Sequence, residues 1–403
     1  MELFWLEHRK LWRKKIVKIC VLLCFVYCVI FGSILSFQWF CFGSSDDYTS
    51  AFGNNFDGYT VIKDSQEYAL SFGGELTDET LQQIVSDYQQ MEADGMEKEL
   101  EKTDWQIVNS WLGTLYPELR DTSNYKTMIS YVDPDKLTGF YERRQQVLDE
   151  FLEVSGQVGA EKEYLHQIER KVEKPFHYEW VEGWSTLLGS MVADLGVVMA
   201  LFLGIVLSSL FAGEWHDNTS TLVLTTRNGW GKIALAKILT GLAFTVELFA
   251  LLAVSNVISQ LFFMGTAGWD MPIQNIKLIA VAPMNMLQAE IYEYAFVLLG
   301  AIGFAGIVMF ISAAVKNNVL TLLLSLAVVY GPMMIAEYLP YEMQKALDLI
   351  PLVGSSTDIF RTNTFRIFGK LIWSPYLLIT IPVLIGILCM PFAIKSWSRR
   401  MKA

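Results

Sequence analysis

The stretch Gly213–Lys237, GEWHDNTSTLVLTTRNGWGKIALAK, is a polar break between two long apolar runs, 185–211 and 233–263. Each run exceeds the roughly 20 residues that carry a helix across ~30 Å of hydrocarbon. A break this short, carrying Arg227 and Lys232, reads as the connection between two membrane-spanning helices. Within it, Asn218 or Thr219 can cap a helix start and Gly229 can end one. Thr219–Thr226 therefore predicts a short helix of about two turns, with Leu222, Val223 and Leu224 available to enter a groove on another surface.

Outward from this loop the pattern repeats. Further apolar segments fall at about 16–40, 290–315, 318–338 and 373–394, giving six predicted spans in a chain that is 53% hydrophobic. Ordinary soluble chains lie near 45–50%. The first segment is too long for a signal peptide and is followed by no small-residue cleavage site, so it reads as a retained span. Residues 1–15 place Leu3, Phe4, Trp5, Leu11 and Trp12 among Arg9, Lys10, Arg13, Lys14 and Lys15. That is the pattern of an amphipathic interfacial helix with its basic side towards lipid headgroups.

Charge divides the chain. Residues 44–183 hold 29 acidic and 12 basic residues, whereas the remainder holds 13 and 19. Lys and Arg in the short connections orient the spans: the N-terminal tail, Arg227 and Lys232, Lys316, and the tail 395–403 all fall on one side if the chain crosses six times. Both termini and the loop 213–232 are thus expected in the cytoplasm, and the acidic segment outside. The sequon Asn218-Thr219-Ser220 then has no glycosylating enzyme to meet. The acidic segment shows helical faces at Leu81, Ile84, Val85, Tyr88 and Met91, and at Leu137, Tyr141, Leu148, Phe151 and Leu152, with Asp133-Pro134 as the start signal of the second helix. The expected fold is an α-helical membrane protein with an N-terminal elbow helix (1–15), a first span (16–40), a mainly helical extracellular domain (44–183) and five further spans (185–394).

Several chemistries have no residues to carry them. No GxxxxGK[ST] sequence occurs, so no P-loop hydrolyses ATP in this chain, and no HExxH occurs. The four histidines, His8, His166, His177 and His216, lie outside the predicted spans, and an enzyme is not expected. A pI near 5.0 argues against nucleic acid. Cys20, Cys24 and Cys28 form one helical stripe; it suits a soft metal ion or, as small apolar side chains, simple packing. No metal or cofactor is expected.

Charges inside spans are costly unless they face protein or water. Asp194, about a third of the way into its span, and Glu247, near the middle of the next, are therefore candidates for a substrate path or for polar contacts between helices. Glu290, Glu293 and Glu337 sit at span ends and read as interfacial. Trp180, Trp184, Trp269 and Trp373 fit an aromatic belt at the outer boundary.

The loop Gly213–Lys237 resembles that of the type-2 ATP-binding-cassette (ABC) permeases, the six-helix export subunits. Those proteins follow their second span with an acidic residue, a short Thr/Leu-rich helix, a turn and a basic residue opening the third span. Here these are Glu214, Thr219–Thr226, Arg227-Asn228-Gly229, and Lys232 with Lys237. Arg227 stands where a Pro is common and Trp230 where an Arg is usual. The elbow helix, the large first outer loop and its Phe140-Tyr141-Glu142-Arg143-Arg144 run extend the resemblance over the whole chain. It implies that Glu214, Thr219, Leu222, Val223, Leu224 and Arg227 dock a separate ATP-binding subunit, and that a second permease copy or a homologous permease completes a dimer. It further implies movement or extraction of an amphipathic peptide, antibiotic or lipid. From the residues alone, a membrane sensor or peptide receptor with a ligand-binding outer domain is the alternative.

Overall fold

The computed structural model describes residues 2–30, 66, 73–96, 105–121, 123–124, 126–180, 182–188, 192–217, 219, 231–354, 360 and 362–399. Residues 31–40 of the first predicted span, and Leu222, Val223, Leu224 and Arg227, lie outside this set. In chain order the helices are α1 (Glu2–Arg13), α2 (Lys15–Val29), α3 (Asp78–Ala93), α4 (Trp105–Leu115), α5 (Phe140–Val154), α6 (Ala160–Glu169), α7 (Glu182–Thr186), α8 (Val192–His216), α9 (Lys232–Met264), α10 (Met286–Val315), α11 (Asn318–Ile335), α12 (Tyr341–Leu347) and α13 (Ser374–Arg399). Two small antiparallel pairs accompany them: β1 (Gly74–Leu76) with β2 (Phe176–Tyr178), and β3 (Thr364–Ile367) with β4 (Lys370–Trp373).

Among the described residues five helices are long and apolar enough to cross a membrane: α8, α9, α10, α13, and α11 with the short turn that follows it. Helix α10 is the hub, packing on α8, α9, α11 and α13. Its tightest seam is against α13 and is made by glycine. A Cβ on Gly303 would lie 2.2 Å from the Pro382 carbonyl oxygen, and one on Gly306 would lie 2.4 Å from that of Gly386. Between apolar helices, where burial from lipid supplies little driving force, such backbone approach is a main source of attraction. Helix α8 buries 72% of its most apolar window inside the molecule, but α11 only 17%, so α11 turns most of its surface outward.

Within the predicted span 185–211, residues 189–191 lie outside the described residues, and Asp194 falls in the first described turn of α8. Helix α8 also runs on to His216, so Glu214 belongs to its last turn and not to the loop. The region before α13 contains α12 and the β3–β4 hairpin. Cys20, Cys24 and Cys28 are buried in the interior, on a helix packed against α8 and α9. Among the described residues no three His, Cys, Asp or Glu side chains converge as a metal site would require.

The acidic segment has its own core, in which Leu81, Val85, Trp111, Leu112, Phe140 and Phe176 meet. Of the predicted faces, Leu81, Ile84, Val85, Tyr88, Leu137, Leu148 and Leu152 are buried, whereas Phe151 is exposed. Asp133-Pro134 opens only a 3₁₀ turn over Pro134–Lys136. The helix proper starts at Phe140, after Gly139 at φ 72°, and is capped from a distance. The Asp78 carboxylate accepts the Gly139 N–H at 2.6 Å and the Phe140 N–H at 2.9 Å, satisfying orphan donors of α5 from the first turn of α3.

This domain grips the connection between α9 and α10. The buried Arg144 donates to Glu169 Oε1 (2.7 Å), to the Leu278 carbonyl (2.7 Å) and to the Ala280 carbonyl (3.1 Å). Trp111 donates to the Asn275 carbonyl at 2.9 Å, and Asn275 donates to the His177 carbonyl at 2.6 Å. Trp180 and Trp184, expected in an aromatic belt, are buried and donate to the Met264 and Ala267 carbonyls at 3.1 and 2.8 Å. Trp373 is buried too, and of the four only Trp269 is exposed. Indole N–H groups at a boundary serve a protein carbonyl as readily as a headgroup, and the domain covers that boundary.

The clamp titrates. Burial works to raise the Glu169 carboxyl, but hydrogen bonds and charges from Lys174 and Arg144 outweigh it and hold its pKa below the usual value. A depressed carboxylate stabilises the fold fully above its unfolded pKa of about 4.3 and loses that contribution as pH falls towards the folded value. The thermal midpoint of the domain is expected to drop as pH is lowered below about 4.3. Glu169→Gln should be less stable at pH 7 and flatter across that acid range. An unchanged acid slope in Glu169→Gln would remove this residue from the account.

Candidate functional site

At the end of the bundle away from the acidic domain, α1, the last turn of α8 and the first turns of α9 meet around two buried charges. Glu214 is 4% exposed and Lys237 1% exposed. Lys237 Nζ lies 2.8 Å from Glu214 Oε1 and 2.8 Å from Glu7 Oε2, and Lys10 Nζ lies 2.5 Å from the same Glu214 oxygen. The second Glu214 oxygen accepts the Thr219 hydroxyl, and the Thr219 N–H bonds the Glu214 carbonyl at 3.0 Å. Lys14 donates to Ser209 Oγ at 2.9 Å. Glu7, Lys10, Lys14, Ser209, Glu214 and Lys237 line a small cleft together with Leu11, Leu210, Gly213 and Asp217.

A carboxylate in the last turn of a helix faces the negative end of its dipole, and a buried charge needs a partner. Two ammonium groups on one oxygen supply both compensations. Burial acts to lower the Lys10 pKa, but its hydrogen bond and attraction to Glu214 prevail and raise it. Lys14 is shifted the other way: burial, then repulsion from Lys237 and Lys10, lowers it. The basic side of α1 was expected to face lipid headgroups. Lys10 instead pairs with the desolvated Glu214 carboxylate of α8 and Lys14 with Ser209 of the same helix, while Arg9, Arg13 and Lys15 are exposed. Glu7, Lys10 and Lys14 lie on one face of the N-terminal segment, and that alternating charge was the available signal for this contact.

One turn before Glu214, Ser312 of α10 enters the backbone of α8. Its Oγ donates to the Ser208 carbonyl at 2.7 Å and accepts from the Phe211 and Ala212 N–H groups, each at 3.1 Å. Beyond it Trp215 receives Lys316 Nζ 4.2 Å from its ring centroid and meets the Trp397 ring at 6.1 Å. A lone Ser in an apolar helix carries no such message in the sequence. This end of the bundle is therefore tied from α10 and α13 as well as from α1.

The two substrate-path candidates are not brought together. Asp194 is exposed near the Tyr27 hydroxyl of α2, at the domain end. Glu247 lies beside α1, with its Oε1 3.2 Å from His8 Nε2 and its Oε2 accepting the Trp12 indole N–H at 3.0 Å. It serves the α1–α9 contact, where Trp12 also packs edge-on against Phe244 at 5.7 Å. Glu290 and Glu293, expected at a wet helix end, are buried. Glu337 is exposed.

The class of molecule this fold defines is a multi-pass α-helical membrane protein. No known protein family, characterised protein or solved structure matches the chain.

Proposed function

We propose that the chain is the membrane-spanning permease subunit of an ABC transporter, driven by ATP hydrolysed in a separate subunit and acting on an amphipathic peptide, antibiotic or lipid. The observation that carries this reading is the Glu7–Lys10–Glu214–Lys237 network. It welds α1 to both helices that bracket the polar loop, so a push on the loop or on α1 reaches α8 and α9 as one body. A soluble motor that closes on nucleotide needs such a rigid grip to move spans. In this reading residues 16–40 form a sixth span, the loop 213–232 and both termini are cytoplasmic, residues 44–183 are extracellular, and a second permease completes the dimer.

Co-purification with a candidate cassette ATPase tests the docking surface. Leu222→Asp with Leu224→Asp is expected to abolish association and stimulated ATP hydrolysis while leaving the thermal midpoint of the permease in place. Unchanged association and stimulated hydrolysis in the folded double variant would overturn the docking role of Leu222 and Leu224. Protease protection on intact cells tests the orientation: cleavage within 44–183 only after permeabilisation would invert it.

A further inference from the structure

Two polar side chains of α9 and two of α10 are buried together just below the acidic domain. Gln260 (0% exposed) and Glu290 (4%) each lie about one turn from the domain end of their helix, and Asn256 (3%) and Tyr294 lie one turn deeper. Consecutive antiparallel spans place Gln260 level with Glu290 and Asn256 level with Tyr294. The Tyr294 hydroxyl is within reach of both the Asn256 carboxamide and the Glu290 carboxyl, in geometries short of a hydrogen bond.

What sets this cluster apart is the number of oxygens without a partner. Among the described residues, both Glu290 oxygens, Gln260 Oε1, Asn256 Oδ1 and the Tyr294 hydroxyl make no hydrogen bond, and neither does Gln260 Nε2. Leaving even one buried polar group unpaired costs about 1–3 kcal/mol, and a carboxylate costs more. By contrast, the buried charges Glu214 and Arg144 are answered: Glu214 has two ammonium groups and a hydroxyl, and Arg144 has three oxygens. A set of hard oxygens around one carboxyl is the donor set of a small cation. Of these four side chains only Glu290 can carry a charge, which suits a monovalent ion, and the buried Glu293, within electrostatic reach of Tyr294, adds to the negative field. The segment 44–183, which grips the α9–α10 connection, holds 29 acidic against 12 basic residues and so raises the local cation concentration on that side.

We propose that Glu290, Gln260, Asn256 and Tyr294 form a binding site for a compact monovalent cation, an alkali ion or an ammonium group, at the domain end of the α9–α10 pair. Binding would join α9 to α10 directly beneath the connection that Arg144 and Trp111 grip. The state of the acidic domain and the occupancy of the site would then influence each other through Leu278 and Ala280.

The full chain in lipid nanodiscs tests this by thermal unfolding in sodium, potassium or ammonium chloride against N-methylglucamine chloride at equal ionic strength and pH. At least one of the three small ions is expected to raise the midpoint saturably, and the arms tell an alkali ion from an ammonium group. Glu290→Gln should abolish the rise, while Glu337→Gln, at an exposed helix end, should retain it. Should Glu290→Gln fail to fold, Gln260→Leu decides. It removes an unpartnered amide, keeps the fold, and should raise the half-saturating concentration about tenfold, the loss of one good ligand. A midpoint that ignores all three ions and follows pH alone overturns the proposal in favour of a protonated carboxyl. Saturable stabilisation that survives Glu290→Gln overturns it as well.

Discussion

Gly303→Ala is expected to destabilise the bundle by about 3 kcal/mol or more, an unusual cost for one methyl group and at the upper end of overpacking effects. The added Cβ would sit 2.2 Å from the oxygen and 2.7 Å from the carbon of the Pro382 carbonyl, both backbone atoms that no rotamer change can move. Helices α10 and α13 must separate, and separation forfeits dispersion contacts along the whole seam. Gly331→Ala in α11 is the matched control, since nothing lies within 4 Å of its added Cβ. It should be neutral or stabilising by up to about 1 kcal/mol from helix propensity. Thermal unfolding of both variants in nanodiscs distinguishes a packed seam from a generic glycine effect, and equal midpoints would refute the seam.

Glu214→Ala is expected to cost about 3 kcal/mol, the lower end for breaking a buried ion pair, because Glu7 still faces Lys237. The more telling comparison is with the double variant Glu214→Leu/Lys237→Leu, which removes both charges. It should be less damaged than Glu214→Ala, since an apolar pair of similar volume needs no desolvation. Limited proteolysis gives the local readout: α1 should become cleavable in Glu214→Ala. In a reconstituted complex the single variant should also uncouple ATP hydrolysis from transport. If α1 keeps its protection and the single variant is no weaker than the double, the network is not what holds α1 to the loop.

Much of the architecture is legible in the residues because apolar length is a one-dimensional quantity. The runs at 233–263, 290–315, 318–338 and 373–394 correspond to α9, α10, α11 and α13 within a few residues. The helical faces of the acidic segment were readable for the same reason, since periodicity of 3.6 needs no partner to be seen. Glu214 was singled out by its place at the end of a span. Its partners were not, because Lys10 lies 204 residues away and a surface lysine looks the same in sequence whether it meets lipid or a buried carboxylate.

The errors share one cause. Trp180 and Trp184 were placed in a lipid boundary, Glu290 and Glu293 in water, and the start of α5 at Asp133-Pro134. Each depends on what covers or caps the residue from elsewhere in the chain: the end of α9 and the residues after it for the two tryptophans, packing inside the bundle for the two glutamates, Asp78 for the last. Composition and period by themselves determined that this is a helical membrane protein with an acidic domain in front of α8. Only the tertiary structure decided which polar groups are paired, which are buried without partners, and how the domain grips the bundle. Desolvation and pairing are properties of a residue's neighbours in space, and the sequence records neighbours only along the chain.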